Sequence, residues 1–115
     1  MEDSSHSFST LRILSQSKSG YIGQCNCCDH YNFAFGNLLF TFTEDGLRGF
    51  YGMLHEHSQS HTLDSPLPHG RNVVFPSPIP NFMLSFTEQE LEEAKGMFQE
   101  TFLVREVDKI FLSKK

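Results

Sequence analysis

Asn37–Glu56 reads NLLFTFTEDGLRGFYGMLHE and Asn81–Glu100 reads NFMLSFTEQELEEAKGMFQE; the two stretches lie 44 residues apart. Asn, Phe, Thr, Glu, Leu, Gly, Met and Glu recur at the same eight of the twenty places. Ordinary residue frequencies give roughly one or two such coincidences. The shared places have a physical logic. Phe42 and Phe86 end an alternating apolar run of the kind a half-buried strand requires. Thr43 and Thr87 follow, each with a hydroxyl able to cap the free N–H groups of a first helical turn. Leu47 and Leu91 then open an apolar stripe at helical spacing. Each stretch therefore reads as strand, cap, helix, and the pair reads as a duplicated unit.

The first helix is expected from Thr43 to near His57. Leu47, Phe50, Tyr51 and Leu54 form its buried face, and Glu44 and Asp45 sit where the helix dipole favours negative charge. The second starts at Thr87, where Glu90 three residues on completes a capping box. Its stripe is Leu91, Ala94, Phe98 and Phe102. Val107, Ile110 and Phe111 keep helical spacing and extend this helix, with a final strand over 104–112 as the alternative. Gly46, Gly49 and Gly52 flank the first helix's stripe at a cost of about 1 kcal/mol each relative to Ala. Glycine there permits close approach of another backbone, either the second helix or a second copy in a homodimer.

Upstream, Phe8–Leu14, Tyr21–Cys25, Tyr31–Phe35 and Leu38–Phe42 read as strands, the last two joined by a two-residue turn at Gly36-Asn37. Residues 58–71 read as loop and Asn72–Phe75 as a short strand. Pro76, Pro78 and Pro80 remove ladder donors, so that stretch is a stiff connection or a sheet edge. The expected fold is α+β: a mostly antiparallel sheet with two helices on one face. Residues 1–7 are a polar, disordered N-terminus, and 8–115 form a single domain.

Composition narrows the function. With a net charge of −5, the chain lacks the basic surplus that phosphate backbones or anionic membranes select. Phe33-Ala-Phe35-Gly36 resembles the aromatic strand of RNA-binding sheets only superficially, since no basic residue precedes it. No apolar run reaches the roughly 18 residues of a membrane span, and the N-terminus has no signal-peptide pattern, so a cytoplasmic protein is expected. No phosphate-binding glycine loop or nucleophile elbow appears. Twelve Phe and no Trp point to an aromatic core.

One cluster could carry chemistry: Cys25-Asn-Cys27-Cys28-Asp-His30. Cys25 and Cys28 have the C-x-x-C spacing with which a tight turn presents two thiolates to zinc, and His30 could add a nitrogen. A structural zinc usually takes four ligands, and there is no second C-x-x-C. The remainder would have to come from Cys27, from His55, His57, His61 or His69, or from another subunit. Reduced thiols with no ligand are the plainer reading in a reducing compartment. A redox dithiol at Cys25 and Cys28 is the third, weakened because such pairs open a helix rather than join two strands.

Gly20-Tyr-Ile-Gly-Gln-Cys25, Cys28, Phe33-Ala-Phe35-Gly36, Arg71-Asn-Val-Val-Phe-Pro-Ser-Pro78 and Glu90-Leu91 together span most of the chain. In these features the sequence resembles a small family of uncharacterised bacterial proteins, mostly from Bacteroidetes. The resemblance implies a compact bacterial domain with Cys25 and Cys28 at its C-x-x-C positions, Cys27 and His30 falling outside that pattern. It carries over no active site. The resulting expectation is a small binding or interaction module that is more readily a non-enzyme, with zinc at Cys25, Cys28 and His30 as its candidate cofactor. A small thiol-redox or other enzyme using Cys25 and Cys28 is the alternative.

Overall fold

The computed structural model describes residues 11–26, 29–57 and 62–113. The polar N-terminus, Cys27, Cys28 and His61 lie outside these residues. Four strands, β1 (Leu11–Gln16), β2 (Gly20–Cys25), β3 (His30–Phe35) and β4 (Leu38–Thr43), form an antiparallel meander in sequence order. Helix α1 (Glu44–His57) follows directly. A separate hairpin, β5 (Val73–Pro76) and β6 (Met83–Phe86), leads into the long helix α2 (Glu88–Ser113). The α+β class is as expected, but the strands divide between two sheets rather than sharing one.

Register explains which face is buried. Ile22, Phe33 and Phe40 lie on one cross-strand line, and Gln24, Tyr31 and Phe42 on the next. Because side chains alternate, these share a face with Phe35 and Leu38. That face carries the helices: α2 packs on β1 and β2, α1 on β3 and β4, and the helices touch one another. Phe33 is the centre, with ring centroids 4.9 Å from Phe98, 5.8 Å from Phe50 and 5.9 Å from Phe35. A bulge at Leu14–Ser15 breaks the β1 register, and both residues are buried.

Both caps form. The Gly46 N–H donates to Thr43 Oγ1 at 3.1 Å. At α2 the box is reciprocal: the Glu90 N–H donates to Thr87 Oγ1 at 3.0 Å and the Thr87 N–H to a Glu90 carboxylate oxygen at 2.8 Å. The stripes Leu47/Phe50/Leu54 and Leu91/Ala94/Phe98 are buried. The 104–112 segment is helix, not strand. Val107, Ile110 and Phe111 are nevertheless exposed, so the core stripe ends earlier than the helix.

The two strand–cap–helix segments sit in different surroundings: β4 is an edge of the four-stranded sheet, whereas β6 belongs to the two-stranded one. Among the described residues no second backbone closes on the first helix's glycines: a Cβ at Gly46 would meet the Phe42 and Thr43 side chains, at 3.3 and 3.4 Å. A Cβ added at Gly49, Gly52 or Gly96 would meet nothing within 4 Å. Glycine is required elsewhere. A Cβ at Gly20 would lie 1.8 Å from the Ala34 carbonyl oxygen on β3. Gly36 has φ +61°, the left-handed conformation that the two-residue turn needs at its first central position.

Candidate functional site

Hairpin β5–β6 packs through Phe86 against Phe35, their rings meeting edge-on at 5.8 Å. The β3–β4 turn is in turn tied back to the β1–β2 turn, since the Gly36 N–H donates to the Ser19 carbonyl at 2.9 Å. Ser19 is itself fixed by α2: its N–H donates to Glu93 at 3.0 Å and its hydroxyl to the same carboxylate at 3.2 Å. Two turns, one hairpin and the first turn of α2 therefore converge. Between them lies a cleft of about 480 Å³, floored by Phe35, Leu84 and Phe86 and rimmed by Asn37, His69, Arg71, Ser85 and Glu90.

The rim is a linked set of polar groups. Arg71 donates Nε–H and Nη2–H to the two oxygens of Glu90 at 3.0 and 2.9 Å, a bidentate fork. Glu90 thus serves the α2 cap and the cleft at once. Partial burial works to raise its pKa, but the Arg71 bonds and the Thr87 N–H outweigh this and hold the carboxyl below its ordinary value. The same contest lowers Glu93, where bonds from Ser17 and Ser19 overcome desolvation. His69 Nε2 lies 3.1 Å from Ser85 Oγ, on the exposed side of β6. Glu90 takes two of the five guanidinium N–H groups of Arg71, so the rim keeps donors in hand, together with the Asn37 amide. An aromatic floor with a few convergent donors suits a small, partly apolar molecule bearing an acceptor.

The residues nominated from the sequence fall at the opposite end of the sheet. Cys25 is buried at the end of β2, opposite Leu11. The register that pairs Gln24 with Tyr31 makes Cys25 and His30 the next facing positions. Cys28 lies outside the described residues. Among those residues, no three Cys, His, Asp or Glu side chains gather as metal ligands. His55 stacks on Tyr51 at 5.7 Å, and His69 belongs to the cleft.

Sequence reasoning nominated Glu90 only as a cap and His69 only as a stray ligand. Arg71 and Ser85 received no role. The signal for the Arg71–Glu90 fork lies in three-dimensional packing, since the partners are 19 residues apart. Arg71 and Glu90 do both fall in the segments that carry the family resemblance.

A model of a family of unknown function, DUF6686, matches residues 8–110, and the chain belongs to that family. No curated protein and no solved structure matches it. Among the described residues no helix is long and apolar enough to cross a membrane.

Proposed function

We propose that this domain is a binding module whose ligand occupies the cleft between the β3–β4 turn and the β5–β6 hairpin. The observation that carries the reading is that Arg71, His69, Ser85 and Asn37 line one space of about 480 Å³ together with Phe35 and Phe86. That volume falls within the range typical of small-molecule sites, roughly 300–1,000 Å³. A small carboxylate or carbonyl compound with an apolar body is the favoured class. Its oxygen would accept from the guanidinium and its body would cover Phe35 and Phe86. The acidic charge and the clustered thiols suit a bacterial cytoplasm, where the module would work. The test is a thermal-shift screen with a panel of small aromatic and aliphatic carboxylates. Binders should raise the melting temperature of the native chain and lose that effect in Arg71→Ala, which removes the guanidinium donors. Equal stabilisation of Arg71→Ala would overturn the reading.

A second reading concerns Cys25 and His30, each one residue beyond the Gln24–Tyr31 pair that ends the β2–β3 register. With Cys28 between them in sequence they would supply three ligands to zinc, as the C-x-x-C spacing suggests. Protein purified without added metal should then carry close to one zinc per chain, lost in Cys25→Ser. Metal-free protein whose thiols titrate far below the ordinary value of about 8.5 would instead favour a redox dithiol.

A further inference from the structure

Helix α2 has a second organised face. Leu103 lies nine positions, or two and a half turns, beyond the fully buried Ala94, and so points away from the core. Leu103 is 68% exposed, Val107 48%, Ile110 55% and Phe111 65%. These residues expose apolar surface on the order of 400 Å², in the range of the largest patch on a small protein, which is often functional. Nor is their spacing random. Leu103, Val107 and Ile110 keep the four-then-three spacing of a helix-pairing seam, Gly96 lies one repeat before Leu103, and Glu100 takes the place between them that Val107 takes in the next repeat.

We infer that this face pairs α2 with α2 of a second copy, antiparallel, about a two-fold axis at Leu103. The sequence along the seam is what singles out that partner and direction. Gly96 and Ile110 stand seven residues either side of Leu103, so an antiparallel copy sets each Ile110 over the Gly96 of the other helix. Gly96 is open there, since a Cβ would meet nothing within 4 Å. A parallel pair would place glycine against glycine and leave that space empty. The same two-fold brings Glu106 beside Gln99 of the copy. Gln99 donates one amide hydrogen to Tyr51 at 3.0 Å and keeps a second for such a contact. Glu106 and Gln99 border one groove with Tyr51, Phe102 and Leu103, next to the proposed seam. With polar flanks added, the buried area would fall at the lower end for specific complexes, about 1,200 Å² in total. The dimer should therefore form and dissociate with concentration. Helical glycines do serve an interface in this arrangement, but on α2 rather than on α1, where the sequence had suggested it.

Sedimentation velocity tests the proposal. The full chain should pass from monomer to dimer as its concentration is raised from low to high micromolar. Leu103→Asp and Leu103→Lys, both at an exposed position that leaves the core intact, should each remain monomeric with unchanged circular dichroism. Mixed in equal amounts they should recover the dimer, because residue 103 of one chain meets residue 103 of the other only about the proposed axis. A native chain that stays monomeric throughout, a Leu103→Asp chain that still dimerises, or a mixture that fails to associate would each overturn it.

Discussion

At the scale of single residues, two glycines separate two kinds of constraint. Gly20 is held by space, because its missing side chain admits the Ala34 carbonyl. Gly36 is held by conformation, since its φ is +61° and a Cβ would touch nothing within 4 Å. Gly36→Ala should cost about 1–2 kcal/mol, the ordinary price of a left-handed backbone for an L-residue. Gly20→Ala should cost at least as much, about 1–3 kcal/mol, because backbone must shift to relieve the overlap. It should also slow or broaden the amide signals of both β2 and β3. Urea unfolding of both variants checks the energies. The turn at Gly36-Asn37 was legible in the sequence because its chemistry is local. The need at Gly20 was not, because it arises from a strand that pairs with it fifteen residues later.

At the scale of elements, the caps illustrate what short-range chemistry makes readable. Thr43, Thr87 and Glu90 act as their spacing predicted, because a cap is complete within four residues. Thr87→Ala should destabilise the fold by about 1 kcal/mol. The pH dependence follows from the sign of the Glu90 shift. Its pKa in the folded chain is lowered, so its contribution is present above the unfolded carboxyl value of about 4.3 and is lost as pH falls through the folded value. Stability measured by urea unfolding should therefore decline in acid, and Glu90→Gln should show a shallower decline along with lower stability near neutral pH. An acid limb of unchanged slope in Glu90→Gln would show that other carboxylates govern it; Glu93, Glu44 and Asp108 are likewise lowered. The far end of α2 was harder to read. Helical spacing of Val107, Ile110 and Phe111 gave the right element, but spacing alone cannot say whether a stripe faces the core or solvent.

At the scale of the whole molecule, one aromatic core unites two sheets and two helices. Phe33→Ala, which removes the ring that touches Phe35, Phe50 and Phe98, should cost about 3–5 kcal/mol in urea unfolding. Class and helix placement were legible from the alternating and helical periods around Phe42–Thr43 and Phe86–Thr87. The division into two sheets was not. Alternation in Phe82–Phe86 marks a strand but does not name its neighbour, and only the fold shows β6 paired with β5 alone. The cleft is a product of that division, since it opens where the second sheet meets the first sheet's turn. Its residues come from separate stretches of chain, and the local motifs among them, a turn and a helix cap, do not announce a cleft. Cys25 and His30, which spacing did make conspicuous, lie away from it at the other end of β2 and β3.

The most direct measurement is an amide chemical-shift titration of the native chain with a carboxylate that stabilises it. The cleft reading predicts that the perturbed amides cluster at Gly36, Asn37, Arg71 and Ser85. Perturbations confined to the Cys25–His30 hairpin, or to the exposed face of α2, would contradict it.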